Sequence, residues 1–272
     1  MPTLIRSQVP LSELIPDPGE RVVTAGTSRT GKSSMMDWEI REVQQLRPTC
    51  MQLLMDTKPR FRAEKTRGPV SYRNRRDASK LYESWARGPV VPNSVVVPIW
   101  DEHPFRGLWN PSNPNEIAIM QSGEENDWKR MLQLMDAFVK AQIKDRERRI
   151  VFDEVLDFYQ RNTWGIAGKS DPIYRTARAG GERSIGLELG AHRLHGLPPL
   201  VLNMISRVNL FHLSDDGDLV HLRRSVGIKD AVSPDGGYVF RQWKKEPGGL
   251  LSEPFTGRIT YPQSYLDQLS AT

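Results

Sequence analysis

Arg21-Val22-Val23-Thr24-Ala25-Gly26-Thr27-Ser28-Arg29-Thr30-Gly31-Lys32-Ser33-Ser34 is the stretch that decides the reading of this chain. Its first five residues form a β-branched, strand-like run, and Ser34 to Gln45 is compatible with a helix. Between them lies G-x-x-x-x-G-K-[ST], in the strand–loop–helix setting that this pattern requires. Glycines there let the backbone wrap a polyphosphate without Cβ clashes, while successive N–H groups and the helix N-terminus point at the anion. The pattern assigns Gly26, Thr27, Ser28, Arg29, Thr30, Gly31, Lys32, Ser33 and Ser34 to nucleotide binding. Lys32 would reach the β- and γ-phosphates of ATP, and the Ser33 hydroxyl would hold Mg²⁺. A glycine-rich turn with no ligand is the alternative, and the flanking strand and helix weaken it.

A second motif lies far downstream. Arg149-Ile150-Val151-Phe152-Asp153-Glu154 is an apolar strand ending in two acids, preceded by an amphipathic stretch from Asn126 to Arg146. Behind a phosphate loop, Asp153 would steady Mg²⁺ together with Ser33. Glu154 sits where a carboxylate can polarise an attacking water, which makes it the candidate general base. Taken alone, three apolar residues and two acids are common at strand ends. The acid pair favours hydrolysis over phosphoryl transfer to a small acceptor.

Composition bounds what surrounds these motifs. A chain of 272 residues accommodates one large α/β domain with insertions. Hydrophobic content of 38% and charged content of 26% describe an ordinary globular protein. No apolar run approaches the roughly 20 residues needed to span a bilayer, and the N-terminus lacks a signal-peptide core. The single Cys50 excludes an internal disulfide and a thiolate metal cluster; it is expected to pack as a small apolar residue near a strand start. The five histidines share no ligand-like spacing. A net charge of +5 permits a polyanionic partner without establishing one.

The charge is concentrated. Lys58, Arg60, Arg62, Lys65, Arg67, Arg73, Arg75 and Arg76 are opposed only by Glu64, with Phe61 and Tyr72 interleaved. Such a segment can neutralise DNA phosphates without reading sequence; its bland alternative is a solvated loop. Elsewhere the pattern predicts a strand at Met51–Met55, a short helix at Ala78–Arg87, a strand at Ser94–Ile99 and an irregular loop at 101–124. A helix from Asn126 to Asp145, a helix at Pro172–Ala179, and strands at Ser184–Ala191, Leu200–Ile205, Val208–Leu213 and Tyr238–Trp243 follow. The alternation of strands and helices predicts a parallel sheet with helices on both faces. Three parts are expected: an N-terminal arm over 1–20 lying across the surface, a core over 21–214 and a C-terminal β-hairpin and tail over 215–272.

The stretch Ile173 to Arg193 joins a basic helix, a glycine turn and a strand with a polar end. Here the chain resembles the FtsK–HerA superfamily of ring-forming DNA-pumping ATPases. Gly181-Glu182-Arg183-Ser184-Ile185 is similar to the Gly-Arg-x-x-Gly-Ile start of that family's next strand, and Ala191-His192-Arg193-Leu194 lies where its Thr-Gln-Arg-Pro exit falls. Asp56-Thr57-Lys58 resembles the family's Asp-x-Lys, and Gly196-Leu197-Pro198 with Asn203 to Phe211 resembles its continuation. The resemblance covers roughly residues 20–215.

The resemblance implies an α/β P-loop NTPase fold of the additional-strand, RecA-like type, with a mostly parallel central sheet flanked by helices and a small C-terminal β element. It puts His192 in the place of the family's sensor Gln, a departure that brings a titratable ring near the γ-phosphate. It implies an arginine contributed by a neighbouring subunit, with Arg183 the first candidate, Arg178 the second, and Arg175 and Arg193 behind them. A bare motor of this length looks most like the genome-packaging ATPases of membrane-containing, non-tailed viruses. Those work as homo-oligomeric rings, here expected to be hexamers, at a capsid vertex or portal, driving double-stranded DNA into a shell. The implied location is the host cytoplasm and the virion vertex. A plasmid or chromosomal translocase, a DNA-independent ATP-driven assembly switch and a small-molecule kinase are the rival readings.

Overall fold

Strands that are apolar on both faces need helices on both sides, and this chain supplies them. The computed structural model describes residues 3–5, 11–47, 50–56, 118–121, 132, 135–136, 139, 147–159, 171–180, 184–246 and 248–260. The basic segment 58–76, the elements expected at Ala78–Arg87 and Ser94–Ile99, most of loop 101–124, and Arg183 lie outside the described residues.

In chain order the elements are β1 (Thr3–Ile5), α1 (Leu11–Leu14), β2 (Arg21–Ala25), α2 (Lys32–Leu46), β3 (Met51–Asp56), β4 (Ala118–Gln121), β5 (Arg148–Phe152), α3 (Leu156–Tyr159), α4 (Pro172–Ala179), β6 (Ile185–Ala191), α5 (Pro199–Leu202), β7 (Arg207–Leu210), α6 (Asp216–Val226), β8 (Val239–Lys244) and β9 (Phe255–Thr260). They form one nine-stranded sheet ordered β1-β9-β8-β7-β2-β6-β5-β3-β4. The run from β7 to β4 is parallel, and β8, β9 and β1 continue it as an antiparallel wing. β6 is inserted between the strand before the phosphate loop and the strand that ends in Asp153-Glu154. This is the expected additional-strand P-loop architecture.

The period-2 alternation of strands sorts side chains to two faces. Val23, Ala25, Leu53, Met55, Ile150, Phe152, Leu187 and Leu189 share one face and pack with Leu156, Ile173, Ala177, Val201 and Leu222 from α3, α4, α5 and α6. Leu132, Met135 and Val139 join this core at helical spacing, as the stretch from Asn126 predicted. On the other face, Met36 and Ile40 of α2 pack on Leu54 and Val151.

That second face also carries a buried polar band. Arg149 of β5 donates to Glu39 of α2 at 2.9 Å, to Gln52 of β3 at 3.2 Å, and to Glu188 of β6. Thr24 of β2 donates to Glu188, and Asn209 of β7 donates to both Thr24 and Glu39. Gln242 of β8 closes the row on Asn209 at 2.8 Å. Burial, with Glu188 alongside, pushes the Glu39 carboxyl well above the usual range, while Arg149 and Arg207 pull it back.

Four local expectations change. Leu200–Ile205 is not a strand: Pro198-Pro199 pre-sets φ for a helix start, and the chain turns through α5 before β7. The next strand runs Arg207–Leu210 and not Val208–Leu213; beyond it Phe211 N–H still donates to Ala25, and its side chain packs against Gly26 of the phosphate loop. Within 101–124, residues Ala118–Gln121 are an edge strand on β3. Between 1 and 20, β1 pairs with β9, and Leu14 and Ile15 are buried. The anchor for that segment is Arg207, fully buried, which donates to the carbonyls of Glu13, Leu14 and Ile15 and pairs with Glu20 at 2.8 Å. Cys50 is buried just before β3, and burial pushes its thiol up to about 11.

Candidate functional site

The loop after β2 is tied down before its helix begins. Gly26 N–H donates to the Ala191 carbonyl at the end of β6, and Thr27 N–H to His212 beyond β7. The Thr30 hydroxyl donates back to the Thr27 carbonyl at 2.8 Å, closing the turn. Gly31 has φ 108, and a Cβ there would lie 2.8 Å from the Tyr238 ring, so only glycine fits. α2 starts at Lys32 with no side chain capping it. Its first-turn residues Lys32, Ser33 and Ser34 line the cavity, so the helix N-terminus, which attracts an anion, lies at its wall.

That cavity, of about 300 Å³, is lined by Gly26, Thr27, Ser28, Arg29, Gly31, Lys32, Ser33, Ser34, Glu154, His192 and Tyr238. Lys32 is nearly buried, donates to the Asp153 carbonyl at 2.8 Å, and lies 3.7 Å from Glu154 Oε2. The Ser33 hydroxyl donates to Asp153 Oδ1 at 3.2 Å. Glu154 Oε2 is 2.8 Å from His192 Nδ1, and Glu154 Oε1 accepts from the His192 backbone N–H at 3.4 Å. With Nδ1 donating, the imidazole holds the carboxylate in one orientation.

Strand packing sets these distances. A Cβ at Gly190 of β6 would lie 2.3 Å from the Asp153 carbonyl, so a glycine lets β6 press against the acidic end of β5. Beyond β6, Asp218 of α6 accepts the N–H groups of Leu194 and His195 at 2.7 and 2.8 Å. This fixes the turn that carries His192.

The sequence-derived residues thus divide. Lys32, Ser33, Asp153, Glu154 and His192 converge, with Asp153 behind the cavity wall rather than on it. Thr30 is buried inside the loop. Arg178 is exposed in the last turn of α4, away from the cavity; Arg175 of the same helix pairs with Asp136 at 2.8 Å, and Arg193 is exposed. Tyr238, read from sequence only as the start of a strand, is a cavity wall. Its signal was the Gly236-Gly237-Tyr238 turn.

The donors suit Mg²⁺. A hydroxyl and a carboxylate, side by side, are hard oxygen ligands, and Mg²⁺ bound with a nucleotide takes only one or two protein ligands besides phosphate and water. Among the described residues no cluster of three or more acids, histidines or cysteines forms a metal cage, nor is any helix long and apolar enough to cross a membrane.

No protein-family model and no curated protein matches the chain. Solved structures do. The genome packaging NTPase B204 of Sulfolobus turreted icosahedral virus 2, in complex with sulfate, superposes with TM-score 0.55 at 13% identity, over 90% of this chain and 98% of that one. The same protein in complex with AMP gives 0.53 at 13% identity, over 88% and 96%. The cytoplasmic domain of the Thermomonospora curvata type VII secretion ATPase EccC gives 0.54 at 13% identity, over 90% of this chain and 26% of that one. At such identity the likeness is one of fold. The α/β P-loop architecture with a mostly parallel central sheet, expected from the sequence, is the one the chain has.

Proposed function

We propose that this chain hydrolyses ATP and couples hydrolysis to the movement of double-stranded DNA, packaging a viral genome into a preformed capsid. The observation that carries the catalytic part is the convergence of Lys32, Ser33 and Glu154 on one cavity at the end of a parallel sheet, with Asp153 bonded to Lys32 and Ser33 just behind its wall. The DNA part is supported by the resemblance in sequence motifs and by a packaging NTPase of matching fold and nearly equal extent.

Loop amides and Lys32 would bind the phosphates, Lys32 exchanging its contact with the Asp153 carbonyl for phosphate oxygens. Ser33 and Asp153 would hold Mg²⁺, which when bound neutralises phosphate charge. Glu154 takes the proton of the attacking water, and His192 keeps its carboxylate aimed. Arg183, or failing that Arg178, is supplied to the site of a neighbouring subunit in a ring, most simply a hexamer. The basic segment 58–76, or failing that the 101–124 loop, grips the DNA backbone, and a capsid vertex or portal protein is the docking partner. The working location is the host cytoplasm and the virion vertex. The core over 21–214 houses the site, and the part over 215–272 closes it.

The test is steady-state ATPase turnover with and without long double-stranded DNA, with Glu154→Gln as control. Strong DNA stimulation lost in the variant is the expected result. Turnover indifferent to DNA overturns the motor and leaves an ATP-driven assembly switch.

A further inference from the structure

Tyr238 occupies a conformation that its own sequence could have avoided. It has φ 63, in the left-handed region that bulky residues rarely enter, although two glycines precede it. A strained, non-glycine residue at such a position calls for a reason in its side chain. The backbone on either side is held: Tyr238 N–H donates to the Thr30 carbonyl at 2.9 Å, and its carbonyl accepts from Ile259 N–H at 2.8 Å. The residue is thereby pinned between the phosphate loop and β9. Its ring packs over Gly31 and lines the cavity, and it remains 36% exposed.

The cavity has a direction. Glu154 and His192, from β5 and β6, stand on one side of β2; Tyr238, leading into β8, stands on the other. The group that polarises water marks the end where the terminal phosphate must lie. A nucleoside triphosphate laid along the loop therefore carries its ribose and base away from Glu154, toward the aromatic wall. We infer that Tyr238 forms the base-side subsite, its ring stacking on the nucleoside of the bound triphosphate. Stacking on a π-face tolerates any base, so this wall adds affinity for nucleotides over inorganic polyphosphate without choosing strongly among bases. The inference rests on the reading of the loop as a nucleotide site.

The test compares binding of ATP and of inorganic tripolyphosphate, each with Mg²⁺, by calorimetry on the full chain. Tyr238→Gly keeps the positive-φ backbone at ease while removing the ring, and Tyr238→Phe keeps the ring. The glycine variant is expected to lower the ratio of ATP to tripolyphosphate affinity about tenfold, at the lower end of what base stacking contributes. Tyr238→Phe should hold the ratio. Equal losses for both ligands would overturn the proposal, assigning the ring to packing of Gly31, and unchanged affinity for both would overturn it outright. Wild-type protein that binds tripolyphosphate as well as ATP would sink the base subsite and spare the phosphate loop. Binding of neither would sink the nucleotide site itself.

Discussion

Two acidic clusters share β5, β6 and α2 and behave oppositely. In the middle of the sheet, Glu39, Glu188 and Arg149 are almost completely buried, and each is bonded within a band that reaches from Gln52 to Gln242. Four or five residues further on, just past the ends of β5 and β6, Glu154 and His192 line a cavity of about 300 Å³ with Lys32 and Ser33, and Asp153 lies behind its wall, bonded to Ser33. The residue types are alike, and what differs is closure. Inside the sheet every carboxylate has a protein partner at hydrogen-bonding distance, so the cluster registers six strands against α2. At the strand ends Lys32 holds a backbone carbonyl and lies 3.7 Å from Glu154, contacts that a phosphate can replace. α2 connects the two, since Glu39 sits two turns beyond Lys32. The closed cluster thus fixes where the open one presents its lysine.

Glu154→Gln should open the widest gap between them. Loss of a general base lowers turnover about 10²–10⁴-fold, while the melting temperature should move little, because the amide can still accept from His192. A large drop in melting temperature would make Glu154 a structural residue like Glu188. Arg149→Met is the converse. It leaves Glu39 and Glu188 buried without their cation, and about 3–5 kcal/mol of stability should be lost in urea unfolding. A loss near zero would mean that the band is not closed.

A smaller effect is expected for His192→Ala. Removing a hydrogen bond to a charged group costs about 1.5–3 kcal/mol, here read as slower turnover at saturating ATP. An unchanged turnover number would assign His192 to the strand end alone. The finest probe is pH. Burial raises the Glu39 carboxyl above its ordinary value of 4.5, so the folded chain keeps its proton to higher pH than the unfolded one. Stability should therefore fall as pH rises from that value through the raised folded one. Thermal melts of Glu39→Gln should lose that part of the slope, and parallel curves for both proteins would contradict the assignment.

Much of the open cluster was legible in the chain. Gly26 to Ser34 and Asp153-Glu154 are short motifs whose chemistry shows in adjacent residues. The closed cluster is not: in the sequence Arg149 is only the first residue of a strand, and Glu39 and Glu188 sit in runs that read as an ordinary helix and strand. α6 is not among the elements expected from the sequence, although Asp215 caps it, Gly227 ends it with φ 91, and Leu219, Leu222 and Val226 fall at helical spacing. Arg207 gave no sign of burial, since a lone arginine before a strand is ordinarily solvated.

By itself the sequence determined the phosphate loop, the acid pair and the α/β alternation. Each depends on backbone conformation and spacing within about ten residues, which side-chain identity controls directly. Tertiary structure alone decided that β6 separates β2 from β5, that Arg207 draws residues 13–20 onto the sheet, and that Tyr238 closes the cavity over Gly31. Lys32 meets Asp153 across 121 residues, and Arg149 meets Glu39 across 110. Contacts at such separations follow from strand order, and strand order is set by which faces bury together, a property of the assembled sheet and not of any one segment.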